Sequence, residues 1–250
     1  MSLFRGDCLE ILPTLAGDSV QLVLTSPPYN VGFDYGDGGI GDRRPLGEYL
    51  DFLATVLAAC ERVLRPGGVL ALNLPPSIRT PEHRAYPLAA WAEMHLLGAG
   101  WEMLEPLVWA KGSWPEGKQG RLHAYGTAIG APTRPYLRPT HERVLLAAKG
   151  RCRIEGKGRA WEGEGAIEWL KDVWLLPAGK AKRGEPTAFP DELVRRLVLL
   201  FSARDDVILD PFAGTGAVGR IAHAEGRRAW LIEREPRYWP ALAAETEGAA

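Results

Sequence analysis

Short apolar runs alternate with amphipathic stretches along most of the chain. The apolar runs predict strands at residues 2–5, 20–24, 69–74, 105–109, 144–148, 207–209 and 229–232. Apolar positions three and four residues apart predict helices near residues 9–15, 49–64, 82–97, 191–201 and 216–225. Strands that alternate with helices are typical of an α/β protein with a mainly parallel sheet.

Two stretches, 112–140 and 150–184, are rich in Gly, Pro and Arg and show no clear period. We expect them to be insertions or long loops on the sheet, and loops of that length are usually functional. The length of 250 residues is that of one ordinary domain, and 46% hydrophobic residues suffice for a core. This composition excludes a disordered chain, a collagen-like chain and a disulfide-stapled miniprotein.

Several features predict a cytoplasmic protein. No stretch approaches the roughly 18–20 apolar residues of a membrane span, and residues 1–10 lack the apolar core of a signal peptide. The cysteines Cys8, Cys60 and Cys152 lie far apart, and neither they nor the five histidines have a metal-ligand spacing. We therefore expect reduced thiols and no metal.

Charge is distributed unevenly, although the formal net charge is only −1. Residues 107–160 contain 11 Lys and Arg against 3 Asp and Glu, a local charge of +8. Such a segment either contacts nucleic-acid phosphates or forms a solvated loop. The candidate phosphate ligands in this segment are Arg134, Arg138, Arg151, Arg153, Lys157 and Arg159. Arg outnumbers Lys 23 to 7 while Asn and Gln occur twice each, which favours a thermophilic source over a GC-rich genome alone.

A glycine-rich loop, Asp210-Pro-Phe-Ala-Gly-Thr-Gly-Ala-Val-Gly219, follows the predicted strand at 207–209. Its glycines have the spacing GxGxxG, and Glu233 ends the next predicted strand. Such glycines let a nucleotide approach the backbone, and the acid accepts hydrogen bonds from ribose hydroxyls. Only 31 residues follow Gly219, too few for the second half of a dinucleotide fold. The loop therefore favours S-adenosylmethionine, the alternative being a tight turn that binds no ligand.

The hexapeptide Thr25-Ser-Pro-Pro-Tyr-Asn30 follows the predicted strand at 20–24. Because consecutive prolines fix the backbone, we expect the Ser26 hydroxyl and the Pro27 carbonyl to stand as two acceptors for the hydrogens of an exocyclic NH₂ group. Tyr29 offers a flat face for a base extruded from a duplex. Holding both N–H groups favours a pyramidal nitrogen, so catalysis would rest on positioning and electrostatics. A rigid turn without chemistry is the alternative.

Together, SPPY and DPFAGTG resemble the β group of the S-adenosylmethionine-dependent DNA amino-methyltransferases, which modify N4 of cytosine or N6 of adenine. Gly6-Asp7-Cys8 and segments 64–70, 135–146 and 185–193 resemble other blocks of that family in the same permuted order. The resemblance implies a circularly permuted, Rossmann-like class I methyltransferase fold in one α/β domain, with helices on both faces of the sheet. The core would comprise 1–111, 141–149 and 185–250, with a loop insertion at 112–140 and a short target-recognition region at 150–184.

The resemblance also implies roles for individual residues. The target base would be held by Ser26, Pro27, Pro28 and Tyr29. The cofactor would be bound by Asp7, Cys8, Asp210, Phe212, Gly214, Thr215, Gly216 and Glu233, with Glu233 on the ribose hydroxyls. Many relatives have His and Lys where this chain has Glu185 and Phe189, so neither is assigned a role. The implied partners are double-stranded DNA and a cognate restriction endonuclease, for a monomer or homodimer away from the membrane.

Competing functions are weaker on the residues present. A cytosine-C5 methyltransferase needs a Pro-Cys pair, which this chain lacks. Amino-methyltransferases of rRNA or protein glutamine usually have Asn in place of Ser26 and place the glycine loop first. A non-catalytic DNA-binding relative would not need intact acceptor and cofactor residues. Relatives with Ser at position 26 are mostly cytosine-N4 enzymes and those with Asp mostly adenine-N6 enzymes, so we expect cytosine-N4 methylation, with adenine-N6 as the alternative.

Overall fold

The fold is described here from a computed structural model, for residues 1–34, 42–80, 85–113, 121–122, 139–156, 166–179 and 189–247. The strands in this part are β1 Ser2–Arg5, β2 Val20–Thr25, β3 Leu64–Leu74, β4 Glu102–Met103, β5 Leu107–Ser113, β6 Arg121–Leu122, β7 His141–Ala148, β8 Val173–Leu176, β9 Val207–Asp210 and β10 Arg228–Glu233. The helices are α1 Cys8–Ile11, α2 Leu46–Val63, α3 Leu88–Gly98, α4 Ala166–Trp169, α5 Asp191–Phe201, α6 Ala217–Ala224 and α7 Trp239–Glu247. Short 3₁₀ turns follow α1 and precede α7.

The strands form one mixed sheet in the order β1-β10-β9-β2-β3-β7-β5-β6, with β4 added beside β7 and β8 beside β5. The five strands from β1 to β3 in this order are mutually parallel, whereas β7 runs antiparallel to both β3 and β5. This arrangement confirms the predicted Rossmann-like α/β class. Because β9, late in the chain, pairs with β2, early in the chain, the two loops that the sequence singles out follow neighbouring strands.

Two apolar cores cover the two faces of the sheet. Along β2, Val23 joins one core, and Leu22 and Leu24 join the other, so the strand is buried on both sides as its continuous apolar run predicts. Helices α1, α2 and α3 pack on the first core, and α5, α6 and α7 pack on the second. Within the described residues, no helix combines the length and apolar character needed to cross a membrane.

The stretch 150–184 differs from the loop that its composition predicts. It contains α4 and the strand β8, which pairs in parallel with β5 and sets Trp174 opposite Trp109. Only four residues form β8, too few for a period to stand out beside the Gly-rich sequence before it. Helix α7 was also not predicted. Strand β3 begins at Leu64, five residues before the predicted strand at 69–74, because residues 65–68 continue the strand through a register shift against β2.

Candidate functional site

The carboxyl ends of the parallel strands meet at one edge of the sheet, where open α/β folds bind ligands. A cleft of about 380 Å³ opens there. Its wall brings together nearly all of the predicted base-binding and cofactor-binding residues, namely Asp7, Cys8, Ser26, Pro27, Pro28, Tyr29, Asp210, Phe212, Gly214, Thr215 and Glu233. Gly216 is the exception, since it is buried behind the loop and does not line the cleft.

The backbone explains why Gly216 and Gly219 are glycines. Gly216 precedes α6 with a φ of 83°, in the left-handed region that residues with a Cβ rarely adopt. A Cβ on Gly219 would lie 2.5 Å from Leu231 Cδ1 and 2.8 Å from Met1 Sδ, so a side chain there would require these two side chains to move. Both glycines thus shape the loop and its helix.

Two buried carboxylates stand where β9 and β10 end. Glu233 accepts hydrogen bonds from the backbone N–H groups of Gly214, at 2.6 Å, and Glu235, at 2.7 Å. Burial raises the pKa of Glu233 while these two hydrogen bonds lower it. Asp210 accepts from Thr25 Oγ1 at 2.7 Å and from the Phe212 N–H at 3.0 Å. Burial raises the pKa of Asp210 to about 7 in spite of these bonds, and the charge of Glu233 adds to the effect.

At the end of β1, Asp7 and Cys8 form the start of α1. The Asp7 carboxylate caps the helix by accepting from the Leu9 N–H at 2.8 Å. Burial, together with the charge of Asp7, raises the pKa of the Cys8 thiol to about 12. A thiol with such a pKa is a poor nucleophile, so Cys8 contributes a neutral thiol to this wall of the cleft.

The SPPY loop (Ser26–Tyr29) is held in place by hydrogen bonds from neighbouring polar side chains. Tyr49, on α2, donates from its hydroxyl to the Pro28 carbonyl at 2.9 Å. Ser26 Oγ lies 2.5 Å from the Tyr29 hydroxyl, and the Asn73 amide on β3 donates to that same hydroxyl at 2.8 Å. The loop therefore has a defined geometry in which Ser26 and Tyr29 are linked to each other.

Sequence reasoning did not identify Asn73, Lys111 and Glu142, which complete this group. Glu142 Oε2 lies 2.5 Å from Asn73 Nδ2 and 3.2 Å from the Tyr29 hydroxyl, and Oε1 forms an ion pair with Lys111. The two charged side chains of the pair are each 12% exposed, and all three residues line the cleft. The signal in the sequence was a polar residue inside an apolar strand, most clearly Asn73 between Leu72 and Leu74.

The buried carboxylate of Asp42 holds the segment that follows the SPPY loop. It is 1% exposed and accepts from the backbone N–H groups of Asn30, Val31 and Phe33 at 2.6–3.1 Å. The Asn30 side chain in turn exchanges two hydrogen bonds with the Arg44 backbone. Burial raises the pKa of Asp42 against the effect of its hydrogen bonds. The chain is thereby fixed on both sides of the segment 35–41.

The two predicted phosphate ligands that lie in the described part of the chain, Arg151 and Arg153, do not line this cleft. The backbone N–H of Arg153 donates to Gly67 O, and Lys149 bonds to Asp18, both near the amino ends of β2 and β3. Arg151 and Arg153 therefore lie at the opposite edge of the sheet, about six residues or ~20 Å of strand from Asn73. Basic residues that do line the cleft are Arg44, Lys111 and Arg234. Arg134, Arg138, Lys157, Arg159 and Glu185 lie outside the described residues, and Phe189 lines the cleft.

The groups on the β1, β9 and β10 side fit S-adenosylmethionine, the cofactor that the sequence resemblance implies. Carboxylates of Asp210 and Glu233 suit a cationic ligand with ribose hydroxyls, and Phe212 and Ile232 offer apolar surface for an adenine ring. No group of three His, Cys, Asp or Glu residues in the described part of the chain could hold a metal ion. The arrangement suits binding of a nucleoside cation beside a polar pocket.

Known proteins resemble this chain over nearly its whole length. The family model described as DNA methylase (N6_N4_Mtase) matches residues 20–245. The type II methyltransferase M.Cfr9I of Citrobacter freundii is 29% identical over 273 aligned positions, which cover 95% of this chain and 84% of that protein. M.XycI of Xanthomonas campestris pv. cyanopsidis, also a type II methyltransferase, is 28% identical, with 99% and 88% covered.

Solved structures agree with this likeness. TTHA0409 of Thermus thermophilus, a candidate DNA modification methylase solved in complex with S-adenosyl-L-methionine, has a TM-score of 0.73 and 29% identity, with 99% of this chain and 95% of that chain covered. The cytosine-N4-specific PvuII DNA methyltransferase has a TM-score of 0.72, with 98% and 85% covered. At 17% identity, the PvuII enzyme shares the fold.

Proposed function

The chain belongs to the DNA methylase family of N6 and N4 amino-methyltransferases, and we propose that it methylates N4 of cytosine in duplex DNA. It is an S-adenosylmethionine-dependent enzyme of DNA modification. The observation that carries the proposal is the place of Ser26, a neutral hydroxyl at the carboxyl end of β2 in the cleft that also contains Asp210 and Glu233.

The proposed division of the cleft follows from its chemistry. Glu233 and Asp210 lie on the cofactor side, and Ser26 with Tyr29 lies on the base side. S-adenosylmethionine supplies a methyl group on a sulfonium centre. Ser26 Oγ and the Pro27 carbonyl accept hydrogen bonds from the amine and direct the nitrogen lone pair at the methyl carbon for direct, in-line transfer. The N–C bond would form as the S–C bond breaks, the thioether would be the leaving group, and the methylated nitrogen would lose one proton to solvent. Tyr29 supports the base from its side.

Methylation of an exocyclic amine in a duplex requires the base to leave the stack, because the amine is otherwise enclosed in the helix. We propose that the target nucleotide is flipped into the cleft. Arg43, which is exposed, and Arg44, which lines the cleft, are the proposed phosphate contacts at its rim. Similarity to type II methyltransferases supports a companion restriction endonuclease that recognises the same DNA sequence. Both proteins would act in the cytoplasm, where the DNA lies.

Cytosine is proposed over adenine because position 26 is Ser. Relatives with Ser there mostly act on cytosine N4, whereas those with Asp mostly act on adenine N6. The two amines are chemically similar, each conjugated to a ring nitrogen, so product analysis must decide between them.

The deciding experiment uses DNA from a host without endogenous methylation. The purified enzyme methylates this DNA, the product is digested to nucleosides, and mass spectrometry identifies the modified one. N4-methylcytosine is the expected product, and N6-methyladenine alone would overturn the cytosine assignment. The absence of any methylated nucleoside, with cofactor binding intact, would overturn the methyl-transfer proposal itself.

Ser26→Ala should abolish most of the transfer, by about 10²-fold or more in kcat, because one acceptor for the amine is lost. Cofactor affinity should not change. Ser19→Ala is the matched control, since the Ser19 hydroxyl is exposed and bonds only to the Ala16 carbonyl in its own turn among the contacts described. Equal activity of Ser26→Ala and Ser19→Ala would remove Ser26 from the mechanism.

A further inference from the structure

Glu142 lies beside the SPPY loop and contacts Tyr29 without facing the cofactor side of the cleft in any described contact. Its carboxylate lies at the start of β7 between the Lys111 ammonium and the Tyr29 hydroxyl, in a side chain that is 12% exposed. A carboxylate can only accept hydrogen bonds, and an ammonium can only donate them. The pair therefore fixes which way the protons of neighbouring groups must point.

The Asn73 amide shows this effect directly. Its Nδ2 donates to Glu142 Oε2 and to the Tyr29 hydroxyl, while its Oδ1 is buried without a hydrogen-bond partner in the described part of the chain. The reverse orientation would direct Oδ1 at the carboxylate, where two acceptors would repel each other. Glu142 thus holds the amide in this orientation although one amide oxygen is left unpaired.

The Tyr29 and Ser26 hydroxyls are also oriented by Glu142. The Tyr29 oxygen accepts from Asn73, and among the contacts described here its single proton has two acceptors within reach, Glu142 and Ser26. A carboxylate is the stronger acceptor of the two. When the Tyr29 proton goes to Glu142, the short contact with Ser26 requires Ser26 to donate to Tyr29. Ser26 Oγ then meets the amine with its lone pairs, of which one also faces Asn73 Nδ2 in a long contact of 3.5 Å.

We propose that Glu142 is a positioning residue that sets the direction of this hydrogen-bond chain, so that Ser26 meets the target amine as an acceptor. The inference rests on the proposed transfer to an exocyclic amine. If the Tyr29 proton went to Ser26 instead, Ser26 would direct its own proton at the N–H groups of the amine. Two donors would then face each other at the reacting nitrogen.

Glu142→Gln tests the proposal because an amide has one oxygen and one NH₂. Attraction to Lys111 turns the oxygen toward the ammonium, which leaves the NH₂ donating to Tyr29 and so reverses the chain. We expect kcat to fall about 10²-fold or more, with cofactor affinity by calorimetry within twofold of wild type. Glu142→Asp keeps the acceptor and should recover part of the activity.

The double variant Glu142→Gln with Lys111→Met distinguishes direction from charge. Without the ammonium, the amide oxygen is free to turn toward its two donors, Asn73 and Tyr29, and the original direction returns. We expect the double variant to be at least tenfold more active than Glu142→Gln alone. If Glu142 had a purely structural role, the double variant would be as inactive as Glu142→Gln or less active, because Lys111 has been lost as well.

A binding measurement makes the proposal independent of turnover. Two unmethylated duplexes contain the sequence that the enzyme methylates. One has the natural base at the target position, and the other has the counterpart in which a carbonyl replaces the amine, uracil for cytosine or hypoxanthine for adenine. With a non-reactive cofactor analogue present, wild type should prefer the amine, and Glu142→Gln should lose at least tenfold of that preference. Glu93→Gln, which loses an ion pair to Arg143 of β7 outside the cleft, should keep it.

Several results would overturn the proposal: kcat of Glu142→Gln within twofold of wild type, an unchanged preference for the amine, or no recovery in the double variant. Thermal unfolding of each variant shows whether it is folded. If Glu142→Gln does not fold because the Lys111 ammonium is unpaired, the double variant still tests the proposal, since it lacks that ammonium. Because the duplex is chosen after the methylated base is known, adenine as the target would refute the cytosine assignment and leave this test valid.

Discussion

Asp210 should make the stability of the cofactor-free protein fall as the pH rises toward neutrality. The residue is 3% exposed, and both hydrogen bonds described for its carboxyl, from Thr25 and Phe212, end on Oδ1. Burial raises its pKa to about 7, whereas in the unfolded chain a pKa near ~3.9 is expected. Between these values the folded protein keeps a proton that the unfolded chain has lost, so a rise in pH favours unfolding.

Asp210→Asn removes this dependence while keeping an oxygen for both donors. Each unit of pKa difference corresponds to about 1.4 kcal/mol. Between pH 5 and pH 8.5 the shift to about 7 predicts that the variant gains roughly 2–3 kcal/mol in free energy of unfolding relative to wild type. The gain should be complete above the folded pKa and smallest in acid.

Urea unfolding followed by tryptophan fluorescence at pH 5, 7 and 8.5 measures this difference. Asp206→Asn is a suitable control, because Asp206 forms an ion pair with Arg65 at 3.0 Å and its loss should destabilise the protein. A difference between Asp210→Asn and wild type that is constant with pH, or that shrinks toward pH 8.5, would refute the reasoning. Cofactor must be absent, since it stabilises the folded state by binding.

Three further outcomes are expected. Glu233→Ala should weaken S-adenosylmethionine binding by about 1–3 kcal/mol, roughly 5- to 150-fold by calorimetry, and unchanged affinity would exclude Glu233 from the site. Arg43→Gln should reduce the magnitude of the slope of log DNA affinity against log salt by about one, whereas the double variant Arg151→Gln with Arg153→Gln should leave that slope unchanged. The opposite pattern would indicate that the duplex binds at the other edge of the sheet. Asp42→Ala should lower kcat by about 10²-fold through misplacement of the SPPY loop, and an equal loss of cofactor affinity would contradict that cause.

The residues that sequence reasoning identified are those that follow directly from short motifs. A strand followed by SPPY, and another followed by DPFAGTG, place their loops at the carboxyl ends of parallel strands, and those ends share one edge. This is why Ser26 and Glu233 line the same cleft although they lie 207 positions apart in the chain. Gly216 fits the motif, but its positive φ serves the turn and not the cleft.

The residues that were missed depend on strand order and register. Lys111 and Glu142 meet because β5 and β7 pair antiparallel, with Trp109 opposite Glu142 and Ala110 opposite His141. No local pattern contains that register. The charge of segment 107–160 has the same limit, because a count of charges does not say at which edge each part of the segment lies: Lys111 lines the cleft, whereas Arg151 and Arg153 do not. β7 carries the chain away from the cleft, and Arg151 and Arg153 follow its far end.

The Lys111–Glu142 pair also shows why stability alone does not explain this side of the cleft. Apolar side chains at both positions would pack the ends of β5 and β7 without taking two charges out of water, and such replacements are often neutral or stabilising in other proteins. The ion pair therefore does not follow from the needs of the core. What an apolar pair would not supply is an acceptor for Asn73 and Tyr29, and through Tyr29 a direction for the Ser26 hydroxyl. The contact with Tyr29 thus gives the buried charge a role in the chemistry of the SPPY loop.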